Sequence, residues 1–147
     1  MIGLDPLGPP LRLEERARPA ARGAVLVVDD HPVVAAAIAA VLGREGYAVT
    51  LARDGREAVD ALRDAAFDLV VTDIVMPRMD GIELIGLLRR EHPGLPVVAI
   101  SGDSEVDPTV YLRIAGHFGV RATLAKPFGA CALLDEIRKN LANVTRA

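Results

Sequence analysis

Cysteine is nearly absent from this chain of 147 residues. The one thiol, Cys131, excludes an internal disulfide, and a reducing compartment is the simplest setting for it. Tryptophan is missing, and the aromatic residues are Tyr47, Phe67, Tyr111, Phe118 and Phe128. Rings so few and so scattered exclude a base-stacking platform. A net charge of −3 gives no basic surface for nucleic acid or an anionic membrane. No apolar run approaches the ~20 residues of a membrane span. Residues 1–23 are rich in Pro and Arg and lack the continuous apolar stretch of a secretory signal. Neither a GxxxxGKS/T loop nor a GxGxxG follows the first apolar run, which speaks against a P-loop or dinucleotide fold. These absences predict a soluble, cytoplasmic protein with no direct nucleic-acid or membrane partner.

Apolar residues make up 51% of the chain and charged residues 25%, enough for one domain with a real core. Pro6, Pro9, Pro10 and Pro19 mark residues 1–23 as a poorly ordered extension, in which a short helix over 11–18 or a docking peptide is an alternative. Residues 24–147 are expected to form the domain. Ala24–Val28 is apolar without alternation, as in a strand buried on both faces. Pro32 suits the first position of a helix over 32–45, with Val34, Ile38, Val41 and Leu42 on one side and Gly46 as its stop. Strands are predicted over 47–51, 69–72, 96–100 and 122–125. Further helices are predicted over 55–65, capped by Asp54 with Ala58, Leu62 and Ala65 facing in, and over 82–90, 108–118 and 130–143. In the last, Leu134, Ile137, Leu141 and Val144 recur at helical spacing. Five strands alternating with five helices define an α/β, doubly wound parallel sheet.

Polar residues stand at the carboxyl ends of these strands: Asp29-Asp30 after the first, Asp73 after the third, Ser101 after the fourth and Lys126 after the fifth. Ligands of a doubly wound sheet bind outside those ends, so the five groups are expected in one pocket. Three carboxylates repel one another unless a cation shares them, and hard oxygen donors suit Mg²⁺. One carboxylate can then face a phosphoryl group, with Mg²⁺, the Lys126 ammonium and the Ser101 hydroxyl each serving an equatorial oxygen. Taken singly, each residue has an ordinary explanation. Asp29 or Asp30 can cap the next helix, Asp73 can be a loop acid, Ser101 a turn residue and Lys126 a solvated charge. Their joint placement on one edge of one sheet is what points to chemistry.

The segments VLVVDDHP, DLVVTDIVMPRMDGIEL, VVAI with Ser101, and LAKPF resemble the response-regulator receiver domain of two-component signalling, from residue 24 to about 143. The resemblance implies the flavodoxin-like, CheY-like fold with strand order 2-1-3-4-5. It implies Asp73 as phosphoacceptor, and Asp29, Asp30, Asp73 and the backbone carbonyl of Val75 as Mg²⁺ ligands. It further implies Ser101 and Lys126 as phosphoryl contacts and a cis bond before Pro127. Met76, Pro77, Asp80 and Gly81 match the family's loop after the acceptor. The donor would be a sensor histidine kinase or a histidine phosphotransfer protein, and the downstream protein target is unknown. Slow self-dephosphorylation would be the only enzyme-like property.

The sequence departs from the family in two places. Thr123 occupies the usual aromatic switch position, which leaves the route of the signal to the outer face open. The interval from Ser101 to Lys126, with GDSEVDPTVY, is longer than common. His31 is expected to be a solvated histidine at a helix start, with modulation of the site as the other reading. A stand-alone receiver is expected, since Met1 opens the chain, with a piece of a longer hybrid protein as alternative. A phosphorylation-independent pseudo-receiver and a small phosphohydrolase or nucleotide-binding α/β protein are the competing functions.

Overall fold

The computed structural model describes residues 22–74, 81–101, 113 and 120–142. In chain order the elements are β1 (Ala24–Val28), α1 (Pro32–Arg44), β2 (Ala48–Ala52), α2 (Gly55–Asp64), β3 (Leu69–Asp73), α3 (Gly81–Glu91), β4 (Val97–Ser101), β5 (Ala122–Ala125) and α4 (Ala130–Ala142). The strands form one parallel sheet in the order β2-β1-β3-β4-β5. This is the expected doubly wound architecture. The helix predicted over 108–118 lies outside the described residues except for Arg113, which is helical and exposed. The extension at 1–23 lies outside them up to residue 21, as do Val144, Met76, Pro77 and Asp80.

Side chains alternate across a strand, and the two faces of the sheet use the two parities. Leu26, Val28, Val70, Val97 and Ala99 pack with Leu84, Ile85 and Leu88 of α3 and Ala58 of α2. Val25, Val27, Leu69, Val71, Val98 and Ile100 pack with Ile38 and Leu42 of α1 and with Leu133, Leu134 and Ile137 of α4. Both parities are therefore apolar in β1, β3 and β4, which is why these strands read as unbroken hydrophobic runs. β2, at the sheet's edge, is largely exposed. Among the described residues no helix is long and apolar enough to cross a membrane.

Local chemistry sets the element ends. Pro32 sits in the first turn of α1. After α1 the chain turns through Gly46 at φ 96°, a conformation that favours glycine. The Tyr47 N–H is spent on Leu42 O at 3.1 Å, so β2 starts at Ala48 rather than at the predicted Tyr47, which is buried all the same. Asp54 caps α2 by accepting from the Glu57 N–H at 2.9 Å. The prediction that Ala65 faces the core is not met. It is the exposed C-cap residue of α2, with extended backbone at φ −152°, ψ 160°, so the helical spacing has already ended there.

Gly81 begins α3 against the end of β3. Its N–H donates to Ile74 O at 2.6 Å. A Cβ there would sit 2.5 Å from Ile74 Cα and would overlap the Asp73 carbonyl oxygen. Backbone atoms cannot move aside as a flexible side chain can. We therefore expect Gly81→Ala to destabilise the fold by at least ~2 kcal/mol. Gly43→Ala, in α1 with nothing within 4 Å of the new methyl group, should stabilise by up to ~1 kcal/mol. Urea unfolding of both variants checks the contrast.

Candidate functional site

Asp29 and Asp73 end two adjacent strands and share the parity of Val25-Val27 and Leu69-Val71, and Lys126 continues the row of Ala122 and Leu124. Period-2 alternation alone therefore aims all three side chains toward the face covered by α1 and α4. The structure brings them together. Asp29 and Asp73 are each 2% exposed. Lys126 Nζ stands 3.5 Å from Asp29 Oδ2 and 3.4 Å from Asp73 Oδ2. One ammonium thus bridges two buried carboxylates.

The other oxygens are held by backbone donors. The Ile74 N–H donates to Asp73 Oδ1 at 2.9 Å, and the His31 N–H donates to Asp29 Oδ1 at 2.9 Å. Neither acid is the N-cap of α1; that position is His31, whose side chain makes no capping bond. The His31 ring is half exposed at the start of α1, as expected, and it also reaches the acids. Its Nδ1 lies 3.3 Å from Asp29 Oδ1, in hydrogen-bonding geometry, and 3.3 Å from Asp30 Oδ1. The Ile74 donor was not singled out in the sequence, because a backbone N–H has no residue-type signature. The same holds for the Thr72 hydroxyl that donates to Asp73 O at 2.8 Å.

Ser101 is joined to this edge by the Lys126 N–H, which donates to Ser101 O at 2.8 Å. Its side chain is fully buried, and Oγ has no hydrogen-bond partner among the described residues. A buried hydroxyl left unpaired is unfavourable by roughly 1–3 kcal/mol, so it marks a place where a further acceptor belongs. The Lys126–Pro127 bond is cis, and Pro127 and Thr123 are exposed. Val75 lies outside the described residues.

The charges are out of balance. Burial drives the Asp73 carboxyl up to about 6, against the downward pull of Lys126, and the neighbouring Asp29 charge adds to the rise. Three carboxylates face one ammonium, and a divalent cation is what such a set lacks. One ligand atom from each of Asp29, Asp30, His31 and Asp73 lies within 4.8 Å of the others, close enough to share an ion. The donor set therefore fits a divalent metal.

A parallel sheet carrying an acid cluster, a bridging lysine and a buried hydroxyl at its carboxyl edge defines a doubly wound α/β domain with a polar site at the strand ends. The chain matches the response regulator receiver domain over residues 25–138 and belongs to that family. The probable transcriptional regulatory protein TcrX of Mycobacterium tuberculosis is 42% identical over 105 residues, which cover 71% of this chain and 43% of that protein. Response regulator MprA of Mycolicibacterium vanbaalenii is 38% identical over 122 residues, 82% of this chain and 51% of that protein. The chain thus spans about half the length of these curated relatives, or less. Among solved structures, the receiver domain of NtrX from Brucella abortus superimposes with a TM-score of 0.76 at 33% identity, covering 82% of this chain and 99% of that one.

The raised Asp73 carboxyl has a consequence for stability. Between its ordinary value of 3.8 and about 6, the folded state holds a proton that the unfolded state has lost. Stability therefore falls as pH rises through that window, and the loss is complete above it. In EDTA at pH 8, Asp73→Asn should be more stable than wild type by roughly 1–3 kcal/mol. The difference should shrink toward zero below pH 4. Thermal unfolding of both proteins across pH 3.5–8 checks the sign.

Proposed function

We propose that this receiver domain takes a phosphoryl group onto Asp73, donated by a phosphohistidine of a sensor kinase or of a histidine phosphotransfer protein. The observation that carries this reading is Asp73 itself, a buried carboxylate bridged by Lys126 to Asp29, with the buried Ser101 ending the adjoining strand. In the transfer a carboxylate oxygen of Asp73 bonds to phosphorus as the donor's N–P bond breaks, and the electron pair leaves on the imidazole. Mg²⁺, held by Asp29, Asp30, Asp73 and the Val75 carbonyl, supplies charge neutralisation when bound. Lys126 moves from bridging two carboxylates to pairing with a phosphoryl oxygen. Ser101 Oγ gains an acceptor, which draws the end of β4 toward Asp73.

The resulting shift reaches the surface that includes β5 and α4, where an unknown protein target reads it. Thr123 is exposed in β5 and has no aromatic ring to swing. Residues 24–147 make the switching unit, residues 1–23 are an extension to it, and the setting is the cytoplasm. No second substrate is involved; water slowly hydrolyses the acyl phosphate.

The donor needs a surface beside Asp73, and α1 offers one. From His31 to Gly43 no carboxylate, lysine or arginine interrupts the chain. Pro32, Ala36, Ala37 and Ala40 are exposed, and Val33 is 81% exposed. An apolar patch next to a reacting group marks a docking face.

Intact mass after incubation with acetyl phosphate and Mg²⁺ tests the reading. We expect a gain of one phosphoryl group, absent in Asp73→Asn and in EDTA. No gain from acetyl phosphate or from any phosphohistidine donor would leave a domain that binds without phosphorylation. Val33→Asp should slow transfer from a protein donor by tenfold or more while leaving labelling by acetyl phosphate within twofold. Equal slowing with both donors would remove α1 as the docking face.

A further inference from the structure

The acid pair is followed at once by an imidazole, and the phosphoryl-transfer reading above assigns it no part. His31 precedes Pro32, and the ring of a proline disfavours the helical region for the residue before it. His31 accordingly keeps an extended backbone, φ −94°, ψ 108°, and its ring stays over the carboxylates instead of following α1 outward. The side chain makes no capping bond to the helix. Its Nδ1 is 3.3 Å from an oxygen of each of Asp29 and Asp30.

We propose that His31 Nδ1 is a fourth side-chain donor to the cation held by Asp29, Asp30 and Asp73, and that it biases this site from Mg²⁺ toward borderline ions such as Co²⁺ and Zn²⁺. The inference rests on the reading that the site holds a divalent cation. The four ligand atoms lie within 4.8 Å of one another. Donors on opposite sides of an ion at ~2.1 Å are about 4.2 Å apart, so the cluster closes on an ion by small side-chain adjustments. The Asp29 carboxylate stays anchored meanwhile by the His31 N–H. Within the cluster, Asp29 and Asp73 are buried, and Asp30 Oδ1 is a buried oxygen with no hydrogen-bond partner among the described residues.

The selectivity follows from donor chemistry. Carboxylate and carbonyl oxygens suit Mg²⁺, which dehydrates reluctantly and takes oxygen. Imidazole nitrogen suits Co²⁺, Ni²⁺, Cu²⁺ and Zn²⁺. Any oxygen site already favours the later ions somewhat, so the diagnostic quantity is the part of the preference that depends on His31.

The test is calorimetric titration of the full chain with MgCl₂ and, separately, CoCl₂, for wild type, His31→Ala and His31→Gln. Pulsed electron paramagnetic resonance of bound Mn²⁺ reports directly on a nitrogen ligand. We expect Co²⁺ affinity to fall at least tenfold more than Mg²⁺ affinity in both variants, and a ¹⁴N coupling that is present in wild type and lost in His31→Ala. Equal losses for the two ions, or no ¹⁴N coupling in wild type, would overturn the proposal. If Mg²⁺ binds and Asp73 is phosphorylated while the ion ratio ignores His31, only this inference fails. If neither ion binds wild type, the cation reading fails with it.

Discussion

Two buried carboxylates, Asp29 and Asp73, share one ammonium, that of Lys126, and the rest of the domain serves to hold that arrangement. Charges taken out of water repel or attract far more strongly than on a surface. A sheet that ends two neighbouring strands in aspartate must therefore supply a cation or let an acid keep its proton. This chain does the first in part, through a lysine from the far edge strand. The upward drift of the Asp73 carboxyl shows that the compensation is incomplete. That shortfall is the chemical opening of the site. A further cation at this edge would relieve the repulsion that remains.

The helices fit the same purpose. α1 and α4 cover the face toward which Asp29, Asp73 and Lys126 project, and α2 and α3 cover the other. The edge strand β2, poor in buried positions, contributes pairing to β1 and little core. α1 combines two demands. Inward it packs Ile38 and Leu42, and outward it keeps an uncharged surface next to the acids. An ordinary solvent face would carry lysine and glutamate at those positions.

Much of this was legible in the residue pattern, and for reasons that can be named. β1, β3 and β4 announced themselves because burial on both faces leaves no polar interruption. Asp54 and Gly46 marked helix ends because an acid accepts an N-terminal N–H and a glycine tolerates positive φ. Asp29, Asp73 and Lys126 were found together because strand ends in a parallel sheet share an edge. What escaped was set by single hydrogen bonds. The start of β2 moved by one residue because the Tyr47 N–H bonds Leu42 O. Ala65 looked inward because helical spacing was carried one residue past the true end of α2. His31 is the exposed residue at a helix start that was expected, but only the folded β1–α1 junction shows both carboxylates within reach of its Nδ1.

Gly81 carries a consequence for how such a domain ages. The atoms that exclude a side chain there are backbone atoms of Asp73 and Ile74, and they remain in place whatever residue follows Thr72. A descendant could replace Asp73 with many residues and keep its shape. The same descendant could not easily replace Gly81. In such a line the glycine would outlive the acid it sits against.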